Sequence, residues 1–426
     1  MDYSKALSIL TGLPALEVKP GLARITRLID ILGHPEEKFA AVHIAGTNGK
    51  GSVAAMLASI FGHAGYRVGV FTSPEVIDFR DRIRIGEEWI GEQELADTVE
   101  EIVPFLERGE DHPTLFEALT GIALRHFAIN AVDLAVVEVG LGGRFDATNV
   151  VRPVLSILTN VDRDHLGILG DTLEKIAWEK VGISRASVPF LAGPLSPGAA
   201  RVVRGECQRV GAPLLSCDPG LIVPDGFEWG GVTYKVQRKG FPSILELPLL
   251  GGYQRDNLAI VLEAVLILRD RGFSLSNSAI QRGLAAVRWP GRFEPLGDKP
   301  RIVLDGAHNL PAIRAVAEDM QRIVPEKGRR HLLFGVLTDK EVEPMCASLF
   351  PHFCSITVTQ STSPRALPVG QLAQVAARLG NVVTTANSVQ EGLSIARLRL
   401  ENEDVLLVTG SITVVKEARP CLVGSS

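Results

Sequence analysis

The chain carries the stretch His43-Ile44-Ala45-Gly46-Thr47-Asn48-Gly49-Lys50-Gly51-Ser52 directly after the apolar run 39–42. That run is typical of a buried strand. The residues after the stretch are apolar at helical spacing, namely Val53, Met56, Leu57, Ile60 and Phe61. A strand, a glycine-rich turn and a helix in this order direct backbone N–H groups and the positive end of a helix at one point, which suits a phosphate group. Lys50 would add a point charge for the β and γ phosphates of a nucleotide.

The match to the general P-loop pattern is partial. In that pattern the hydroxyl residue follows the lysine directly, whereas here Gly51 separates Lys50 from Ser52. The alternative interpretation is a turn and helix start that bind no ligand. The combination of several glycines, Lys50 and flanking strand and helix patterns favours nucleotide binding.

Composition excludes several classes of protein. The 426 residues suffice for two domains, and 46% hydrophobic with 22% charged residues is a globular profile. A net charge of -5 provides no basic footprint for nucleic acid. Five scattered cysteines without a C-x-x-C pair indicate reduced, structural thiols rather than a zinc site. With no signal-peptide pattern and no long uncharged stretch, we expect a cytoplasmic protein that does not contact membranes.

Polar side chains follow three predicted strands at the points where those strands end. Ser73 follows the strand 66–71, Glu138 lies near the end of the strand 134–139, and His165 comes shortly after the strand 154–159. In open parallel sheets, ligands bind at the carboxyl ends of the strands. A carboxylate there is how P-loop enzymes hold Mg²⁺, so these residues are candidate metal ligands. The alternatives are a turn role for Ser73 and a hydrogen-bonded structural role for His165.

Other segments give weaker signals. Thr114 opens a helix through residue 127, and the helix that starts near residue 171 carries Lys180. Lys180 is either a solvated surface lysine or, if its helix faces the cleft, an anion-binding or chemically modified group. We expect strands and loops over 185–250, followed by an apolar helix through residue 268.

A second α/β series follows the helix-breaking residues 288–293. Strands over 301–304, 331–336, 355–359 and 405–408 alternate with helices over 311–323, 341–350 and 369–379. The predicted fold is therefore α/β: a P-loop domain with a doubly wound, mostly parallel sheet, then a smaller Rossmann-like domain. We expect an N-terminal ATP-binding domain over 1–288, a linker over 289–297 and a C-terminal domain over 298–426.

Several local motifs agree in their order along the chain. They are 46–52, Thr72-Ser73-Pro74, 138–149, Asp164-His165, 179–183, Pro290-Gly291-Arg292-Phe293-Glu294 and Asp305-Gly306-Ala307-His308-Asn309. On these motifs the chain resembles the folylpolyglutamate synthase/dihydrofolate synthase family of the Mur ligase superfamily, whose members are ATP-dependent amide ligases. The resemblance covers nearly the whole chain. One departure is Glu75, because the family commonly has His directly after Thr-Ser-Pro.

The resemblance implies roles for named residues. ATP phosphates would be held by Gly49, Lys50, Gly51 and Ser52, and the ATP site would be completed by Asn257, Arg292 and Asp305. Two Mg²⁺ ions are implied, with ligands Ser73, Glu138 and His165. Lys180 matches a lysine that is carbamylated in the family, and the expected catalytic residues are Lys50, His165 and Lys180. The pterin substrate would lie near Val18, Lys19, Pro20, Thr114, Leu115, Phe116, Glu117, Phe145, Asp146 and Ala147.

The implied reaction joins L-glutamate to dihydropteroate, to the glutamate tail of reduced folates, or to both, through an acyl phosphate made from ATP. Family habit favours both activities and a monomer. Three alternatives remain: another Mur-type amino-acid ligase, a P-loop nucleotide switch, and a non-catalytic relative that only binds folate.

Overall fold

The computed structural model describes residues 1–14, 21–106, 112–324 and 328–424. Its strands form three sheets, and helices cover both faces of the two larger sheets. The strands of the first sheet are β1 Ala40–Ala45, β2 Val68–Phe71, β3 Ile83–Ile85, β4 Glu88–Trp89, β5 Leu134–Glu138, β6 Pro153–Leu158, β7 Phe190–Ala192 and β8 Leu214–Ser216. The small second sheet contains β9 Ile222–Glu228, β10 Gly231–Val236 and β11 Ile244–Leu247. The third contains β12 Glu294–Leu296, β13 Arg301–Leu304, β14 Arg330–Phe334, β15 Ser355–Thr359, β16 Thr384–Ala386 and β17 Val405–Thr409.

The helices divide into those that accompany the first two sheets and those that accompany the third. The first set is α1 Tyr3–Gly12, α2 Ala23–Ile31, α3 Lys50–His63, α4 Glu92–Leu106, α5 Leu115–Ile129, α6 Leu166–Leu169, α7 Leu173–Lys180, α8 Pro197–Val210, α9 Gln254–Asp270 and α10 Asn277–Ala286. The second set is α11 Leu310–Ile323, α12 Val342–Leu349, α13 Val369–Arg378, α14 Val389–Arg397, α15 Ile412–Ala418 and α16 Pro420–Val423. We call the two groups, with their sheets, the N-terminal and C-terminal units.

The first sheet has the strand order β4-β3-β2-β5-β1-β6-β7-β8. Strand β1 pairs in parallel with β5 on one side and with β6 on the other, so the strand order reverses at β1. Ile44 lies opposite Glu138, and Ala45 lies opposite Leu158. The carboxyl ends of the three central strands are therefore level, and the chain leaves each of them at the same edge.

Alternating side chains of β1 serve two different cores. Val42 and Ile44 pack with α3, α9 and α10 on one face, whereas Ala41 packs with α1, α2, α4 and α5 on the other. The small antiparallel sheet adds Tyr234 to the first of these cores. Because both faces of the parallel strands are covered, the sequences of those strands are almost entirely apolar.

The third sheet has the order β12-β13-β17-β14-β15-β16, and only β12 at its edge runs antiparallel. Strand β13 ends at Leu304, directly before Asp305, and β17 ends directly before Gly410. The segment 289–293 thus leads from the N-terminal unit into β12, the edge strand of the third sheet.

The predicted α/β fold class is confirmed by these two largely parallel sheets. The prediction of strands and loops over 185–250 is wrong for Pro197–Val210, which forms α8. Ser196 caps this helix by accepting from the backbone N–H of Ala199, and Pro197 occupies its first turn. In the described ranges, no helix combines the length and apolarity that a membrane crossing needs.

Helix α3, which starts at Lys50, packs directly against α10. A Cβ on Gly283 of α10 would lie 2.6 Å from the Cα of Ile60, so only glycine permits this backbone approach. The hydroxyl of Ser59 donates to the carbonyl of Gly283 at 2.6 Å. This contact fixes the helix whose first residues border the glycine-rich loop.

We expect Gly283→Ala to lower the free energy of unfolding by about 1 to 3 kcal/mol, because the added methyl forces two helix backbones apart. Gly205→Ala is the matched control, since Gly205 lies within α8 with open space around its Cβ position. That change should raise the free energy of unfolding by up to about 1 kcal/mol through helix propensity. Urea unfolding of both variants measures the difference, and equal effects would contradict the packing argument.

Candidate active site

The glycine-rich loop between β1 and α3 is held by side chains from other strand ends and from α9. Gly49 has φ +82°, and a Cβ there would lie 2.3 Å from Oδ1 of Asn257. The side-chain oxygen of Asn160 accepts from the backbone N–H groups of Thr47 (3.2 Å) and Asn48 (2.9 Å). Among the described residues no side chain caps α3 at Gly49. The first N–H groups of α3 therefore lack intrahelical partners at an edge suited to an anion.

Glu138, at the end of β5, lies between Ser73 and Lys50. One carboxylate oxygen accepts from the backbone N–H of Ser73 at 3.2 Å, and the other lies 3.8 Å from Nζ of Lys50. Only 4% of Glu138 is exposed. Burial raises the pKa of Glu138, and the nearby charge of Lys50 opposes that rise. The second carboxylate oxygen is thus available to a cation at the cleft.

Lys180, the last residue of α7, is buried rather than solvated, with 4% exposure. Its Nζ donates to the carbonyl of Gly46 at 2.8 Å. Burial and, to a lesser extent, the charge of Lys50 together lower the pKa of Lys180 to about 7. A substantial fraction of this amine is therefore neutral and nucleophilic near neutral pH. The surface-lysine interpretation of Lys180 is thus wrong.

Asp164 and His165, which follow β6, lie where the two units meet. Asp164 accepts from Lys340 at 2.7 Å and from the side chain of Asn309 at 3.0 Å, and His308 lies 3.4 Å away. Burial lowers the pKa of His165 to about 4, so its imidazole is neutral at physiological pH. A neutral imidazole has a lone pair to offer a metal ion.

Asp305, directly after β13, anchors the junction between the units. Its carboxylate accepts from the backbone N–H groups of Phe293 and Ala307, each at 2.8 Å, and from the hydroxyl of Tyr253 at 3.4 Å. Burial raises the pKa of Asp305, and the neighbouring Arg292 opposes that rise. Arg292 and Asp305 both line the cleft that also contains the glycine-rich loop.

These groups border one cleft of about 460 Å³ between the units. The cleft combines an anion-binding loop, a buried carboxylate, a hydroxyl and several cationic groups, which is the set that phosphoryl transfer uses. The predicted residues that line it are Gly49, Lys50, Gly51, Ser52, Ser73, Glu138, His165, Lys180, Asn257, Arg292 and Asp305.

The residues expected near a pterin are not part of the described cleft lining. Val18, Lys19 and Pro20 lie outside the described residues. The remaining residues are described by the structure but do not line the cleft: Thr114, Leu115, Phe116, Glu117, Phe145, Asp146 and Ala147.

The two acids in that set are engaged in local structure. Glu117 forms a capping box with Thr114 at the start of α5, and it accepts from Nε of Arg24 at 3.0 Å. Asp146 accepts from the backbone N–H groups of Leu141 (2.8 Å) and Thr148 (3.0 Å). Both carboxylates thus already have structural partners.

Sequence reasoning assigned no role to several residues in the cleft wall and next to it. Asn160 holds the glycine-rich loop, and its place directly after a predicted strand was a usable signal. The amide of Asn48 exchanges hydrogen bonds with the amide of Asn309 at 3.0 and 3.3 Å. Lys340 pairs with Asp164 across the units, and nothing in its surrounding sequence indicates that contact.

Comparison with protein families gives two matches along the chain. Residues 44–189 match the Mur ligase middle domain, and residues 291–412 match the Mur ligase glutamate ligase domain. The chain is 34% identical to the dihydrofolate synthase/folylpolyglutamate synthase of Bacillus subtilis, over 98% of both chains. It is 35% identical to the folylpolyglutamate synthase of Lacticaseibacillus casei, over 100% of this chain and 99% of that protein.

Solved structures agree with these sequence matches. The folylpolyglutamate synthase of Mycobacterium tuberculosis, complexed with ADP and AMPPCP, superposes with a TM-score of 0.88 at 31% identity over 100% of both chains. FolC of Escherichia coli, in complex with DHPP and ADP, gives a TM-score of 0.86 at 30% identity, over 99% of this chain and 98% of FolC.

The buried lysine allows a pH test. The pKa of Lys180 falls from the ordinary 10.5 to about 7 in the folded protein, so between these values the unfolded chain binds the additional proton. We expect the stability advantage of Lys180→Met over the wild type to grow as the pH falls, by up to about 1.4 kcal/mol per pH unit, and to level off below about pH 7. Urea unfolding in bicarbonate-free buffer measures it.

Lys175→Met removes an exposed lysine from the same helix and is the matched control. A difference between Lys180→Met and the wild type that does not change with pH would contradict the desolvation of Lys180.

Proposed function

The chain belongs to the dihydrofolate synthase/folylpolyglutamate synthase family of Mur ligases, and on that premise we propose that it joins L-glutamate to dihydropteroate and to the glutamate tail of reduced folates at the expense of ATP. One observation carries the proposal. The glycine-rich loop, the strand-end residues Glu138 and Ser73, and the junction residues Arg292 and Asp305 all line the same cleft. Relatives named for this activity cover nearly the whole chain.

The chemistry requires activation of a carboxylate. An oxygen of the acceptor carboxylate attacks the γ-phosphorus of ATP, the bond to the β–γ bridging oxygen breaks, and ADP leaves. The amine of glutamate then attacks the carbonyl carbon of the acyl phosphate, the carbon–oxygen bond breaks, phosphate leaves, and the amine loses a proton. The protein supplies positioning and charge neutralisation for both steps.

The N-terminal unit would hold the triphosphate. The free N–H groups at the start of α3, from Lys50 to Ser52, would bind phosphate oxygens, and the ammonium of Lys50 would neutralise charge on the transferred group. Arg292 would reach the same group from the junction. Asn257, which already contacts the loop at Gly49, and Asp305 would complete the nucleotide site.

The donor set fits Mg²⁺ ions held together with the phosphates. Glu138 presents a carboxylate oxygen with no closer partner in the described structure than Lys50 at 3.8 Å. Ser73 offers a hydroxyl and His165 a neutral imidazole, and both line the same cleft. Bound Mg²⁺ would neutralise phosphate charge. These residues would fix the positions of the triphosphate and of the Mg²⁺ ions relative to each other.

We propose that Lys180 is carbamylated. In carbamate formation a neutral amine attacks the carbon of dissolved CO₂, a nitrogen–carbon bond forms and the amine loses a proton. Burial brings the pKa of Lys180 to about 7, so its amine is partly neutral near neutral pH. The modified side chain would be a further carboxylate beside Lys50, whose positive charge opposes an ammonium but stabilises a carbamate.

With ¹³C-labelled bicarbonate, we expect a carbamate carbon resonance in the NMR spectrum of the wild type. Lys180→Arg, which keeps a positive charge but cannot form this carbamate, should lack the resonance. Lys175→Arg is the control and should keep it. A resonance that survives in Lys180→Arg would contradict the assignment.

The folate substrate would extend beyond the described cleft. The pterin would bind near 18–20, 114–117 and 145–147, where the exposed ring of Phe145 offers a stacking surface. Residues 1–288 would form the ATP-binding domain, 289–297 the linker and 298–426 the glutamate-ligase domain. The enzyme would act as a monomer.

The test is ADP release by the purified protein with ATP, Mg²⁺ and L-glutamate, with dihydropteroate or tetrahydrofolate as acceptor. We expect glutamate-dependent turnover with both acceptors. Lys50→Ala should keep the fold and lower the rate by at least about 100-fold, because one charge on the transferred phosphoryl group is lost.

Turnover with one acceptor alone would assign a single activity. ADP release that does not depend on glutamate would favour a nucleotide switch. No glutamate-dependent release with either folate acceptor would favour another Mur-type ligase, because the carboxylate acceptor of such an enzyme is absent from this assay.

A further inference from the structure

Glu75 directly follows the Thr72-Ser73-Pro74 motif, and it connects the two units. One carboxylate oxygen accepts from Nζ of Lys416 on α15 at 2.8 Å, and the other accepts from the guanidinium of Arg82. Arg82 belongs to the N-terminal unit and Lys416 to the C-terminal unit. The carboxylate of Glu75 is 17% exposed, so this double ion pair is partly shielded from water.

The loop 72–82 that contains Glu75 is internally braced. Its base is closed by a hydrogen bond from the backbone N–H of Thr72 to the carbonyl of Arg82, at 3.0 Å. Within it, one oxygen of Asp81 accepts from the backbone N–H groups of Val76 (2.9 Å) and Ile77 (2.7 Å). A loop braced in this way transmits a displacement at one residue to its neighbours.

A second contact joins the same loop to the C-terminal unit. Val76 packs against the apolar cluster that includes Val415 of α15 and strands of the third sheet. Gly291 of the junction lies between them, since a Cβ on it would be 3.0 Å from Val415 and 3.3 Å from Val76. The ion pair of Glu75 and this apolar contact therefore involve two consecutive residues of α15, Lys416 and Val415.

The other end of the loop reaches the cleft. Ser73, which lies only two residues before Glu75, lines the cleft. Its backbone N–H donates to the carboxylate of Glu138. We infer that Glu75 is a positioning residue: through Lys416 it makes the placement of Ser73 and Glu138 depend on docking of the C-terminal unit. The kinetic part of this inference rests on the proposed ligase function, whereas the structural part does not.

The test compares Lys416→Met, Glu75→Gln, the double variant and Lys416→Arg. In Lys416→Met we expect amide hydrogen exchange over 73–82 to accelerate about threefold to tenfold, because one tether of the loop is lost. We expect kcat to fall by a similar factor while KM for ATP stays within about twofold, since ground-state binding relies on the glycine-rich loop. In the double variant, exchange over 73–82 should be no faster, and kcat no lower, than in the more strongly affected single variant. Lys416→Arg should keep both the exchange rate and kcat close to those of the wild type.

Lys235→Met is the matched control, because it removes an ion-paired lysine from the small sheet. It should leave exchange over 73–82 and kcat unchanged. Unchanged exchange in Lys416→Met, faster exchange without a loss of kcat, or additive effects in the double variant would each overturn the inference. If the wild type shows no glutamate-dependent turnover, the proposed function fails, and the exchange measurement still decides whether Lys416 tethers the loop.

Discussion

Parallel hydrogen bonding of β1 to β5 on one side and to β6 on the other is the constraint on which the site depends. The register places Ile44 opposite Glu138 and Ala45 opposite Leu158, so three strands end level with one another. The glycine-rich loop, the buried carboxylate and the segment that carries His165 consequently leave the sheet at one edge. Groups that are far apart in sequence thus meet at one edge of the sheet.

Burial then sets the chemistry of those groups. Within the same cleft, burial opposes the charged forms of Glu138, Lys180 and His165. Bound ligands would stabilise these charged forms, because a metal ion would stabilise the carboxylates and phosphate oxygens would stabilise the lysine ammonium groups. The cost of burying these charged groups is therefore not fully offset within the protein itself, whereas the charges of a bound nucleotide and its cations would offset it.

Sequence reasoning predicted the fold class because strands, turns and helices in both units follow apolar periodicity. It also placed Ser73, Glu138 and His165 together, since strand ends in a parallel sheet share an edge. Periodicity did not reveal α8, whose polar and glycine-containing sequence hides its buried face. The pairing of Asp164 with Lys340 was out of reach, because it depends on how the two units pack against each other.

The hydrogen bonds between Asn48 and Asn309 have a kinetic consequence. Asn48 belongs to the loop that faces the nucleotide, and Asn309 caps the first helix of the C-terminal unit. Any separation of the units at this interface would break both amide hydrogen bonds together with the Asp164 contacts. A nucleotide bound in the cleft between the units would therefore leave at a rate linked to the lifetime of this interface, as a gated event rather than by simple diffusion out of an open groove.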